Sequence, residues 1–427
     1  MNRARTLSTA ATAAALALAA LTAPQATAAP AGHRHSGTLV IVGGGLKDTN
    51  AEIYHEIITK AGGAGHARIG VLTAASVTPE HDPNASDPAT CSNSVCNGTY
   101  YADLFRHYGA ADAQWIPVDL DHIAAADDDT VLAQVESMTG FFFGGGDQYR
   151  YITTLLHGEA HTDSKVLAAI RAKLAAGAVV SGSSAGAEIA SGPDMVTGGD
   201  SYPALREGSS PGYFQDPTRL GYLPAGGFGF FDAGLIDTHT GTYGREGRAI
   251  RLAADTGHPR VFALDEDTAL EVEDNGTPHE TLRVLGTHGV SVFDLRHART
   301  RTTPAGWAVD GVDYSYLTDQ DRYDPRSWRT TPAAAKQPLH PVGTTPVPAE
   351  PDVFYSAADP AGHPYAFSGT ARALAATTGA SATATTYESA PTYAVDFTKT
   401  PHLRAFTADG TTTASFTHLT LALHPEP

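Results

Sequence analysis

Ser184 lies in Gly182-Ser183-Ser184-Ala185-Gly186, the G-x-S-x-G spacing of a nucleophile elbow. Ala178 to Val180 reads as the end of a buried strand, and Glu188-Ile189-Ala190 opens a helix. A turn that tight holds its serine in a strained backbone conformation, and glycine two residues to either side lets the chain pass without a Cβ clash. Such a turn exposes the serine Oγ at the carboxyl end of a sheet. The N–H of Ala185, at a helix N-terminus, faces any developing oxyanion. A Gly/Ser-rich loop without chemistry is the competing reading of so short a pattern. A serine hydroxyl also needs a base to take its proton and a carboxylate to orient that base. Of the 19 histidines, His239 is the candidate base, because it ends the apolar run Gly234-Leu-Ile-Asp237-Thr238-His239. That run is expected to lie in the same sheet layer as the elbow. Arg260-Val-Phe-Ala-Leu264 likewise delivers Asp265-Glu266-Asp267.

These positions require a scaffold of strands alternating with helices. Strands are expected at Thr38–Val42, 67–73, 114–118 and Gly140–Phe143, with helices at 50–61, 100–108 and 165–176. The alternation implies right-handed crossovers and an α/β fold with a mostly parallel sheet flanked by helices, its site beyond the carboxyl ends of the strands. Gly43-Gly44-Gly45 lacks the G-x-G-x-x-G spacing of dinucleotide binding and reads as a tight strand-to-helix turn. Gly144-Gly145-Gly146 allows backbone N–H groups close to a ligand, and Asp147 is placed to cap the next helix. The segments 284–294 and 312–317 alternate like strands added at a sheet edge.

The chain has 427 residues, enough for a large core and more than one unit. Arg3 and Arg5, the apolar run from Ala13 to Leu21 and the small residues Ala26-Thr27-Ala28 form an export signal over residues 1–28. The apolar run is short and breaks at Pro24, which argues against a membrane anchor. Removing that signal takes away two arginines and no acid, making a formal charge of −18 more negative still. So acidic a protein is a poor partner for nucleic acid or an anionic membrane. Cys91 and Cys96, the two cysteines, sit in a polar loop and read as a small disulfide loop of an exported protein. Two cysteines without a nearby histidine give too few ligands for a metal, and no cofactor is expected. Residues 29–37 read as a disordered lead, 38–328 as the catalytic domain and 329–352 as a proline-rich linker. Residues 353–427 read as a small C-terminal β-rich module, with a loosely ordered tail as the alternative.

Five stretches in register give the chain a resemblance to the cyanophycinase and peptidase E family of serine peptidases. Gly145-Gly-Asp-Gln-Tyr-Arg150 resembles the family's G-G-D-Q-L-R, and Gly182-Ser-Ser-Ala-Gly-Ala187 its G-[ST]-S-A-G-A elbow. Leu220-Gly-Tyr-Leu-Pro224 followed by Asp237-Thr238-His239 resembles L-G-L-L-P…D-Q-H. Asp265-Glu266-Asp267-Thr268-Ala269-Leu270 resembles the D-E-x-T-A-L strand, and 317–324 the end of the family's catalytic domain. The resemblance covers roughly residues 38–328 and implies a fold similar to the class I glutamine amidotransferases. It implies Ser184 as nucleophile, His239 as base and Glu266 as orienting carboxylate, with Asp265 and Asp267 as rivals to Glu266. It further implies an oxyanion hole from the N–H groups of Gly146 and Ala185. Gln148, Asp237, Thr238, Tyr243, Arg245 and Arg248 occupy its substrate-binding positions.

Two of these depart from the family's pattern: the glutamine of D-Q-H is Thr238, and the first arginine of R-x-R-x-x-R is Tyr243. Both fall in the pocket, outside the triad. The order Ser…His…Glu also differs from that of α/β-hydrolase esterases. The expected function is an exported, extracellular serine peptidase acting on a peptide or polymer. Its best-matching substrate is cyanophycin, a polyaspartate bearing arginine on each side chain, cleaved to β-Asp-Arg dipeptides. An aspartyl dipeptidase or other exopeptidase is the alternative within the class, and a non-catalytic binding protein the alternative outside it. The resemblance leaves room for a homodimer.

Overall fold

The computed structural model describes residues 37–341, 343–344 and 346–426; the expected export signal over residues 1–28 and residues 29–36 of the expected lead lie outside them. Two nine-stranded sheets carry the chain. The first runs, edge to edge, through Arg329–Thr331, Arg322–Asp324, Thr281–Gly286, Thr268–Glu273, Thr38–Val42, Val179–Ser183, Gly140–Phe143, Arg68–Leu72 and Asp112–Trp115. The elbow strand Val179–Ser183 lies between two parallel neighbours, Thr38–Val42 and Gly140–Phe143.

The expectation of a mostly parallel sheet is corrected in part. The five strands from Thr38–Val42 to Asp112–Trp115 are parallel, and the other four add to them antiparallel. The division follows from the connections. Crossover helices such as Ala51–Lys60 and Ser94–His107 return the chain to the same end of the sheet, whereas Thr268–Glu273 and Thr281–Gly286 are joined by a short turn that forces reversal. The parallel strands are apolar on both faces. Leu39 and Ile41 enter one core, while Val40 and Val42 enter another, beneath Ile53, Ile57 and Phe105 of the covering helices.

The second sheet runs through Leu235–Asp237, Arg260–Leu264, Gly289–Asp294, Gly306–Thr318, Ser415–Pro425, Tyr393–Thr407 and Gln337–Pro338, with Arg299–Thr303 and Ser381–Thr385 paired alongside. One apolar core joins it to the first sheet, since Phe262, Leu264, Val290 and Val292 pack with Leu270, Val272, Leu282 and Val284. Two expectations change here. The strand leading to His239 belongs to this second sheet, away from the elbow strand's layer. The C-terminal strands are no separate module either: Ser415–Pro425 pairs directly with Gly306–Thr318 and continues a sheet begun before residue 328. The helix Ala366–Ala376, which alternation gave no sign of, buries Phe367, Ala371 and Leu374 against the same sheet.

Candidate active site

Ser184 closes the elbow with φ 57° and ψ −120°, immediately before the helix Ala185–Glu188. A positive φ costs a non-glycine residue about 1–3 kcal/mol and persists only where the surroundings enforce it. Here the enforcement is steric. A Cβ on Gly182 would strike the carbonyl oxygen of Gly186, and one on Gly186 would strike that of Phe143. The two flanking glycines are thus what lets the helix leave the strand so abruptly.

His239 reaches Ser184 from the second sheet. It stands two residues beyond Asp237 with left-handed backbone angles, φ 54° and ψ 32°, and its N–H donates to Gly43 O at 2.7 Å. Its Nε2 lies 2.7 Å from Ser184 Oγ and its Nδ1 lies 2.6 Å from Glu266 Oε1. A carboxylate can only accept, so the proton sits on Nδ1 and the Nε2 lone pair faces the hydroxyl. Burial holds the imidazole below its ordinary pKa, with the positive charge of Arg245 adding to the effect and the Glu266 hydrogen bond opposing it. The ring is therefore neutral at neutral pH and fit to accept a proton.

The neighbouring acids are spent elsewhere. Asp265 accepts from Gly241 N at 2.8 Å and Tyr316 OH at 2.7 Å, and burial pushes its pKa up to about 6. Asp267 accepts from Asn50 Nδ2 and Thr287 Oγ1, each at 2.8 Å, which ties down the loop after the first strand. Glu266 alone of the three meets the imidazole.

The first glycine run has a role that its reading as a tight turn missed. A Cβ on Gly44 would overlap the His239 ring, and one on Gly45 would lie 2.7 Å from the Glu266 carboxyl carbon. The run makes room for two of the three side chains; three consecutive glycines ending a buried strand were its signal. The second run passes beside the serine, with a Cβ on Gly145 set to meet Ser184 Oγ at 3.7 Å. Gly146, at φ 138°, presses on the carbonyl of Ala75, a position only glycine fits. The expected oxyanion donors, Gly146 and Ala185, thus belong to the two segments that flank Ser184. Asp147 caps the next helix by accepting from Tyr149 N at 2.9 Å.

The profile of peptidase family S51 matches residues 89–279. A cyanophycinase of Synechococcus elongatus is 31% identical over 271 residues, 62% of this chain and 71% of that protein. The chain belongs to peptidase family S51. It is accordingly a serine-type peptidase. A cyanophycinase of Trichormus variabilis is 28% identical over 260 residues, 60% of this chain and 74% of its own length. Among solved structures, a peptidase from an acI-B1 actinobacterium aligns with a TM-score of 0.45 at 18% identity, over 68% of this chain and 98% of its own.

Around the triad of this S51 peptidase, the expected substrate-binding residues divide into two groups. Asp237 and Arg248 are buried and turned on each other: Nε donates to Oδ2 at 2.9 Å and Nη2 to Oδ1 at 2.5 Å, while Arg248 Nη1 donates to Gly199 O at 2.7 Å. A direct substrate contact is not what this pair is arranged for. Thr238 is buried too and donates to Glu188 Oε1 at 2.8 Å. Glu188 itself escaped notice as a site residue. Burial, reinforced by the charge of Asp237, pushes its pKa up to about 8, and its Oε2 has no hydrogen-bond partner among the described residues.

The second group is more open. Tyr243 is exposed and its ring stacks on His239 with centroids 5.1 Å apart. Arg245 reaches over the Tyr243 ring and donates to Thr238 O at 3.0 Å. Gln148 donates to Val196 O at 2.9 Å from the helix beside the second glycine run. Farther off, Cys91 and Cys96 lie side by side with Cα atoms 6.2 Å apart, where Asn93 caps the helix Ser94–His107.

Proposed function

We propose that the enzyme is an exported cyanophycinase. Ser184 Oγ attacks the carbonyl carbon of an aspartyl bond while His239 Nε2 takes its proton, and Glu266 stabilises the imidazolium. The oxyanion is held by the N–H groups of Gly146 and Ala185. His239 then returns the proton to the departing nitrogen. Water, activated by the same imidazole, hydrolyses the acyl-enzyme and frees Ser184. Arg245 takes the free carboxylate of the departing unit.

The observation that supports this reading best is the unbroken hydrogen-bonded line from Glu266 through His239 to a serine on a strained turn. Export is supported by the basic-then-apolar run within residues 1–28 and by two cysteines placed to form a disulfide.

The test is mass spectrometry of products released from cyanophycin by the purified mature protein. β-Asp-Arg dipeptides are expected, and they should disappear with Ser184→Ala. Cleavage of Asp-X dipeptides without release from the polymer would replace this reading with an aspartyl dipeptidase. Two features favour that second reading: Thr238 is committed to Glu188, and Tyr243 offers no guanidinium for a carboxylate.

A further inference from the structure

A cleft of about 680 Å³ opens where residues 333–336 meet the turn between the strands Tyr393–Thr407 and Ser415–Pro425. That volume is typical of a small-molecule site. None of Ser184, His239 and Glu266 lines it, and residues expected to form a linker make up one of its walls. Three basic side chains face the cleft, and two of them are already spent. Lys336 Nζ donates to Thr318 O at 3.2 Å and to Thr318 Oγ1 at 2.7 Å and pairs with Asp321 Oδ1 at 2.8 Å, which uses all three of its protons. Arg322 is exposed and sits 3.6 Å from a Glu273 carboxylate oxygen. Arg372 differs. Its Nε donates to Thr413 O at 2.8 Å, and neither Nη has a hydrogen-bond or ion-pair partner among the described residues.

The remaining lining sets the kind of occupant. Asp319 accepts from Gln320 Nε2 at 3.2 Å and from Gly286 N at 3.4 Å, and no cation pairs with it among the described residues. A second negative charge on an occupant would meet that carboxylate. His288 adds no charge, because burial, together with the positive charge of Lys47, holds its imidazole below the ordinary pKa. Ala333, Ala408 and Ala414 supply apolar wall. A guanidinium with both Nη groups free can hold a carboxylate through two parallel N–H···O bonds. We propose that the cleft is a binding site for a monocarboxylate carried on a compact apolar body, with Arg372 as its anchor. Inorganic phosphate, with up to two charges and no apolar body, suits it poorly. The site stands apart from the Ser184 chemistry and does not rest on it.

Calorimetric titration of the full-length mature protein with hexanoate, hexanamide and inorganic phosphate tests it. Hexanoate should bind, and hexanamide, which keeps the apolar body and lacks the charge, should bind at least about tenfold more weakly, as should phosphate. Arg372→Met should weaken hexanoate by a similar factor, whereas Asp319→Asn, which removes the opposing charge, should tighten it several-fold. Arg372 also holds Thr413, so Ala335→Trp serves as the second variant: it fills the cleft from an exposed position, leaves every bond named above in place and should weaken hexanoate too. N-acetylleucine, run alongside, separates the two sources of such a carboxylate: tighter binding than hexanoate assigns a peptide C-terminus, weaker binding a short-chain acid, and either supports the site. Equal binding of hexanoate and hexanamide, no binding of hexanoate, or binding indifferent to both Arg372→Met and Ala335→Trp in folded protein would overturn the proposal. Protein phosphonylated on Ser184 should bind hexanoate unchanged; loss of binding there would place the ligand in the catalytic site and overturn the proposal as well.

Discussion

Asp237 and His239 stand two residues apart at the end of one strand, and each is held by an oppositely disposed partner. Asp237 and its partner Arg248 are only 3% and 4% exposed, joined by two hydrogen bonds, with Thr238 N and Gly199 O taking up further capacity. His239 and Glu266 are 15% and 25% exposed, and the imidazole keeps one nitrogen for Ser184. Burial sets the difference. A sealed ion pair has no group left to offer a substrate and serves as a rivet between the strand and the helix Glu246–Thr256. A half-open pair held by one hydrogen bond retains a lone pair that can do work. Neighbouring residues of one motif thus divide between architecture and chemistry according to what solvent and substrate can reach.

The contrast can be broken from either side. Ser184→Ala should lower kcat by about 10⁴–10⁶-fold with an unchanged melting temperature. A comparable loss of stability would mean that the open cluster is structural as well. Arg248→Met strands the buried Asp237 carboxylate and should cost about 3–5 kcal/mol in denaturant unfolding. An unaffected unfolding midpoint would show the pair to be no rivet. Gly44→Ala drives a methyl group into the imidazole and should reduce kcat by up to about 10²-fold, more than it changes KM.

The pH dependence sharpens the same comparison. His239 must be neutral to act, and burial lowers its pKa, so kcat/KM should fall only as the pH drops through a value below about 6.5. A limb above that value would mean that the imidazole is stabilised as a cation. The smallest effect expected is at Glu188. Its folded pKa of about 8 lies above that of an unfolded glutamate. Between those values the folded state binds more protons, and stability falls as pH rises. Glu188→Gln removes this liability, so its melting temperature should decline less between pH 6 and pH 9 than that of the unsubstituted protein.

Much of this was legible in the sequence because short-range chemistry dictates it. The elbow's two glycines, the strand Thr38–Val42 and the Asp147 cap follow from local sterics and hydrogen bonding, and the structure has all three. Strand partnership is decided by long-range packing, which periodicity does not record. Leu235–Asp237 reads the same whichever sheet receives it, so its place in the second sheet was hidden, as was the continuation of that sheet by Ser415–Pro425. Glu188 was passed over for a similar reason. Nothing in Ala187-Glu188-Ile189 tells that a carboxylate one turn beyond the serine is enclosed by Thr238, Asp237 and Arg248.

The central claim is that Ser184 is a nucleophile activated by His239. Mass spectrometry of the purified protein after exposure to a serine-directed phosphonate tests it most directly. One phosphonyl adduct on Ser184 is expected, formed far more slowly in His239→Ala. A folded protein that leaves Ser184 unmodified, or modifies it equally fast without the imidazole, would contradict the account.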